Sequence, residues 1–240
     1  MESRPRALIA SAAVGVAAIA VVAAGHGSTP EPGHASGPPA KQRLPLEDPS
    51  IAVIYSETDR DAQLLISTGS TRPMASLSVE RPNGTGIIDA RFKHDRKLGH
   101  ADFRVDTPEP SLAKLKRAYP PGTYLWRGQT VDGQRLAGRS KLSYALLEPP
   151  VITAPAAGAT GLPTSGLTVR WEPVGAAKTI HLELEEPQTE RVLTVDLDGG
   201  ATSFVVPDGF LRSGREYVVD VKAVNSRGNL TVADLSFRTA

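Results

Sequence analysis

Leu167-Thr168-Val169-Arg170-Trp171-Glu172-Pro173 and Tyr217-Val218-Val219-Asp220-Val221-Lys222-Ala223-Val224 are the stretches that decide the fold. In the first, Leu167, Val169 and Trp171 fall on one side of an extended chain and Thr168 and Arg170 on the other. In the second, Tyr217, Val219, Val221 and Ala223 alternate with Val218, Asp220, Lys222 and Val224. A period of two is the strand period. The same alternation runs through Ile180, Leu182 and Leu184, then Leu193, Val195 and Leu197, then Phe204 and Val206, and finally Leu235 and Phe237. Each strand has one apolar face, so two sheets must close those faces against each other.

Working outward, Leu167-x-Val169-x-Trp171-x-Pro173 resembles the second-strand signature of the fibronectin type III domain. Leu211-x-Ser213-Gly214-x-x-Tyr217-x-Val219-x-Val221-x-Ala223-Val224-x-x-x-Gly228 resembles its turn, corner tyrosine and sixth strand. The family usually has Pro where Ser213 stands and Thr where Arg215 stands. The resemblance covers about residues 150–240. It implies an immunoglobulin-like sandwich that binds or spaces, with no catalytic constellation of its own.

Upstream, short alternating segments lie between turn residues: 51–56, 63–67, 75–80, 86–92, 101–105, 123–130 and 134–144. Asp132-Gly133 marks a tight turn between the last two, because both residues tolerate positive φ. One helix interrupts the series, over 110–118, with Leu112, Leu115 and Tyr119 on one face and Pro120-Pro121 as its stop. Gly122-Thr123-Tyr124 through Leu136 and Leu142-x-Tyr144 echoes Gly214 through Leu230 and Leu235-x-Phe237, as an internal repeat would. Thr58-Asp59-x-Asp61-Ala62, Tyr119-Pro120-x-Gly122-Thr123-Tyr124 and Thr130-Val131-Asp132-Gly133 resemble exported bacterial proteins that carry a type III domain and no assigned activity. The expected fold is all-β: two immunoglobulin-like β-sandwich domains, over 51–148 and 149–240, after an N-terminal apolar helix and a disordered linker.

The helix is expected in the leader. Arg4 and Arg6 precede an uncharged run from Ala7 to Ala24, the charge order that holds the front of a chain in the cytoplasm and passes the rest across. Val22-Ala23-Ala24 suits a peptidase that reads small side chains. Eighteen residues span about 27 Å as a helix, so both a cleaved signal and an uncleaved anchor fit. Ten Gly or Pro follow between Gly25 and Ser50, a composition that reads as a disordered tether. The expected location is therefore extracytoplasmic, with membrane contact through residues 7–24 if the leader stays.

Composition removes several functions. The 240 residues hold no cysteine and carry a formal charge of +1, which excludes disulfides, thiolate metal sites and a Cys nucleophile. The charge is uneven: residues 51–148 sum to +4 and residues 149–240 to −3. No G-x-S-x-G and no phosphate-binding glycine loop occurs. His181 alternates with Glu183 and reads as an exposed strand residue. No cofactor is implied. Asp59 and Asp61, two apart in a loop, offer oxygen donors for Ca²⁺, although Arg60 between them opposes a cation and the rest of a calcium loop is missing. The run Arg91-x-Lys93-His94-x-Arg96-Lys97 is basic, but no aromatic ladder interleaves it, so nucleic acid is disfavoured. Asn83-Gly84-Thr85 and Asn229-Leu230-Thr231 match the N-glycosylation pattern.

Two functional expectations follow. The first is an exported, non-catalytic binding or spacer protein of the cell envelope, with an unknown protein or polysaccharide partner. The second is a carbohydrate- or peptide-recognising accessory domain of an extracytoplasmic enzyme system. It would use Tyr124 and Trp126 to stack on sugars and Arg127 to hold carboxylates, although alternation puts both aromatics on one face, where they can equally be core.

Overall fold

The computed structural model describes residues 43–92 and 99–240. The expected leader, the linker as far as Gln42, and Lys93, His94, Arg96 and Lys97 of the basic run lie outside the described residues. Among the described residues no helix is long and apolar enough to cross a membrane. The described chain is β-sheet with one short helix.

The first lobe contains β1 (Leu44–Pro45), β2 (Glu47–Ser56), β3 (Asp61–Glu80), β4 (Gly86–Arg91), β5 (His100–Asp106), α1 (Leu112–Ala118), β6 (Gly122–Thr130) and β7 (Arg135–Leu142). Two strands expected at 63–67 and 75–80 are one, β3. Its first half pairs with β2 and β5, its second half with β4 and β6, and the register shifts between Gly69 and Met74. Pro73 stands in that shift, where a residue with no N–H to give the ladder is tolerated. By bending there, β3 runs from one layer into the other, and both layers share a core built on Val53, Leu64, Ile66, Leu77, Val79 and Trp126. Leu115 of α1 joins that core, with Lys116 and Arg117 near the carbonyl end of the helix, where cations are favoured. The Asp132-Gly133 turn forms as expected, with Gly133 at φ +83° and its N–H donating to Thr130 O at 3.0 Å.

The linker ends sooner than its composition indicates. Residues 44–50, read above as tether, contain β1 and the start of β2, and the Leu46 N–H donates to Ala137 O at 3.0 Å. Pro45 is compatible with β1 because a two-residue strand at the sheet edge leaves its missing donor facing nothing that needs it. Leu46, buried against the first core, anchors the segment.

The second lobe contains β8 (Ile152–Ala154), β9 (Thr168–Trp171), β10 (Thr179–Glu186), β11 (Arg191–Asp198), β12 (Ser203–Val205), β13 (Glu216–Val224) and β14 (Leu230–Arg238). A sheet ordered β12-β9-β8 faces a sheet ordered β14-β13-β10-β11. Three strands against four is the arrangement of the type III sandwich. Its core holds Val169, Trp171, Ile180, Leu182, Tyr217 and Phe237. Trp171 Nε1 donates to Ala201 O at 2.8 Å. The Tyr217 hydroxyl accepts from the Arg212 N–H, five residues upstream, at 2.8 Å, which is the geometry of a tyrosine corner. The Tyr217 and Phe237 rings stack with centroids 5.6 Å apart.

The two lobes share one sheet. β14 pairs in parallel with β2 at Leu230↔Ile54, Thr231↔Tyr55 and Val232↔Ser56, and Ile54, Leu230 and Val232 make a small core at the seam. Asn229, 2% exposed, locks it. Its Oδ1 accepts from the Val53 N–H at 3.0 Å, and its Nδ2 donates to Ser143 O at 2.8 Å and Ala145 O at 3.0 Å. The Asn229 glycosylation pattern is thus sealed by hydrogen bonds, whereas Asn83 lies in an exposed turn. Replacing Asn229 with Ala takes the partner from the Val53 N–H and from Ser143 O, whereas Ala145 O keeps the Asn225 amide. Asn229→Ala is expected to lower unfolding stability by about 2–4 kcal/mol, measured by urea titration. A change below about 0.5 kcal/mol would mean the clamp carries no net energy.

A candidate ligand-binding face

Alternation along β6 sorts the three residues picked out for ligand contact. Tyr124 and Trp126 point inward, 0% and 1% exposed. The Tyr124 hydroxyl donates to Pro120 O at 3.0 Å, and burial pushes it up to about 12. Trp126 Nε1 donates to Ser140 Oγ at 2.8 Å. Their ring faces are core, which corrects the expectation that they stack on a sugar. Arg127, between them and Gly128, points outward and meets Glu80 at 3.0 Å.

The strands beside β6 carry outward residues onto the same face. The register sets Arg127 between Ser78 of β3 and Ala137 of β7, Gln129 between Ser76 and Arg135, and Leu125 between Glu80 and Arg139. β4 adds Arg91 opposite Ser76 and Asp89 opposite Ser78. Lys141 follows two residues after Arg139, on the same side of β7. Short side chains at Ser76, Ser78 and Gly128 leave a floor, and Arg43, Arg91, Arg127 and Arg135 stand around it. The groove encloses about 600 Å³, and a second hollow of about 340 Å³ adjoins it between Arg43, Arg127 and Arg139. Six cations therefore share a face with two carboxylates, Glu80 and Asp89. Among the described residues, Arg43, Arg91, Arg135 and Arg139 have no ion-pair partner. Planar guanidinium forks with free donors are suited to carboxylate or phosphate oxygens.

Asp59 and Asp61 are brought together after β2. Asp59 Oδ2 accepts from Ser56 Oγ at 3.2 Å, and Ser56 Oγ accepts from the Asp59 N–H at 3.0 Å. Burial, then the neighbouring Asp59 charge, raises the Asp61 carboxyl above its ordinary range. No group of three or more His, Asp or Glu side chains suited to a metal occurs among the described residues. Asp59 and Asp61 supply two carboxylates toward the six to eight oxygens Ca²⁺ takes, and backbone carbonyls and water would have to supply the rest.

The second lobe holds a charged network that alternation alone hides. His181 is 4% exposed, not an exposed strand residue as its pattern indicates. Register explains the difference: Asp196 of β11 and Lys222 of β13 flank it. His181 Nδ1 lies 2.7 Å from Asp196 Oδ1, and Lys222 Nζ lies 2.9 Å from Glu183 Oε2 and 3.3 Å from Asp220 Oδ2. The Lys222 ammonium occupies the centre that a bound cation would need. Burial raises Asp220 to about 6; Lys222 lowers it in part, and Glu183 and Asp234 raise it further.

Both sites give tests. A carboxyl whose folded pKa is raised stabilises fully below the ordinary value near 3.8 and loses that contribution as pH rises through about 6. Between pH 5 and 7.5 the melting temperature of the wild type should therefore fall relative to that of Asp220→Asn; parallel curves would contradict the burial argument. Trp126→Ala should cost about 3–5 kcal/mol of stability in denaturant titration. An unchanged midpoint would return Trp126 to the surface.

No protein-family model and no curated protein matches the sequence. Solved structures similar to this chain include the fibronectin(III)-like modules of Clostridium thermocellum CbhA. They are 9% identical over 81% of this chain and 92% of that one, with a TM-score of 0.33. The chicken CNTN1 FN1–FN3 domains are 14% identical over 83% of this chain and 69% of that one, also at 0.33. A two-domain fibronectin type III segment of chicken tenascin is 11% identical over 80% and 93%, at 0.28. What makes the C-terminal lobe fibronectin type III-like is its own three-against-four strand order, its core Trp171 and its corner Tyr217.

Proposed function

We infer that this is a non-catalytic binding module working outside the cytoplasm, and that its ligand is anionic and sits on the outward face of β4, β3, β6 and β7. The observation that carries the reading is the charge of that face, six cations against two carboxylates, with four of the arginines unpaired among the described residues. A protein gains little stability from clustered like charge and loses some to repulsion, so a ligand accounts for the arrangement better than folding does. The network around His181 supports no hydrolytic role: its imidazole faces Asp196 and Glu183, with no hydroxyl nucleophile bonded to it.

The shared sheet supports a spacing role beside the binding one. A seam made of a parallel strand pair, a buried asparagine and an apolar cluster holds the two lobes as one body. The apolar run at residues 7–24 supports export, followed by release or anchoring.

The test is fractionation of the producing cells with sequencing of the mature N-terminus. The wild type should be recovered with the envelope fraction. Arg127→Gln/Arg135→Gln, folded by circular dichroism, should leave that fraction at about a tenfold lower salt concentration. Recovery in the cytoplasm, or salt release identical for the two proteins, would overturn the reading.

A further inference from the structure

Resting on the reading of the basic face as an anion site, we propose that its ligand is an acidic polysaccharide: a hydroxyl-rich chain whose carboxylates meet the arginines one after another along β7. One carboxylate engages one guanidinium fork, or two at most. Here Arg135, Arg139 and Lys141 lie on one side of β7, spread over six residues or about 20 Å at ~3.4 Å each. From β4 to β7 the face crosses three strand spacings, about 14 Å. Arg91 stands at one side, Arg135 and Arg139 at the other, and Arg127 between them. No small anion touches cations placed so far apart, whereas a chain does.

Ser76, Ser78, Thr123 and Gln129 share the face and supply hydroxyl and amide groups that match sugar hydroxyls. Asp89 and Glu80 add acceptors for hydroxyl donors. The same two carboxylates oppose a densely charged polymer such as polyphosphate, in which every unit carries an anion and no donor. Among the residues lining the groove, the one aromatic ring is Trp126, and it is buried. The face offers no stacking platform for bases.

The test uses the full chain and four probes: a polygalacturonate of about ten sugars, galacturonate monomer, polyphosphate of matching charge, and neutral dextran. Calorimetry in 50 mM NaCl should show polygalacturonate binding at least ~100-fold more tightly than the monomer, because several weak contacts act in one molecule. It should also bind more tightly than polyphosphate, and dextran should not bind. With four to five charges neutralised, log K should fall with log salt at a slope of about −3. Arg135→Gln and Arg139→Gln should each weaken polygalacturonate by roughly 5–10-fold, and Arg170→Gln, an exposed arginine of the second lobe, should leave it unchanged. Equal affinity for monomer and oligomer would overturn the polymer and leave the anion site standing. Tighter binding of polyphosphate would overturn the polysaccharide in favour of charge alone. Equal losses in Arg170→Gln would place binding elsewhere, and no binding to any anion would overturn both this inference and the anion reading beneath it.

Discussion

The pairing of β14 with β2 is the contact on which the rest depends. Each strand borders its own lobe and would otherwise offer an open row of N–H and C=O groups, the template for aggregation. Joining the two borders removes both. The pairing is short, three residues in register, so it needs its neighbours. The Glu57 N–H extends it by donating to Val232 O at 3.0 Å. Asn229 ties the start of β14 both to β2 and to the crossing strap at Ser143 and Ala145. Thr231 Oγ1 donates to Leu147 O on the same strap at 3.1 Å. The chain that links the lobes is thereby bonded to the sheet that joins them.

Within each lobe one rule, the strand period, produces both stability and surface. On β6 it sends Tyr124 and Trp126 inward and Leu125, Arg127 and Gln129 outward. The aromatic pair belongs to the core, and the register of β6 with its neighbours gives the arginines a common face on the other side. Tyr124 resembles Tyr217 in this: each is fully buried near the start of a hairpin and hydrogen-bonded to backbone four or five residues upstream. The echo between the two hairpins in sequence therefore has a counterpart in structure, although only the second lobe has the type III strand order.

Much of the second lobe could be read from sequence, because its alternation is local and its core Trp and Tyr have fixed partners. What could not be read depends on residues distant along the chain. His181 is buried by Asp196 and Lys222, whose positions follow from register rather than from its own strand. Asn229 looks like a modification signal because its carbonyl partners lie 84 and 86 residues away. Gly69 and Pro73 mark a break in the sequence, whereas in the fold they stand at a register shift within one strand. Pro45 and Pro49 look the same in a strand as in a disordered segment, so composition alone does not separate residues 44–50 from a tether.

The basic face is an intermediate case. Arg127 stands out in the sequence, whereas the places of Arg135 and Arg139 follow from the register across the Asp132-Gly133 turn, which sets Arg127 opposite Ala137. The missing element was the pairing of β3, whose second half lies between β4 and β6 and so sets Arg91 and Arg127 on one face. Without Ser76, Ser78 and Glu80 between them, β4 and β6 would have no common neighbour, and Arg91 would have no reason to share a face with Arg127. The same half-strand sends Leu77 and Val79 into the core and Ser76 and Ser78 to the floor between the cations, so folding and ligand face are set by the two sides of one strand.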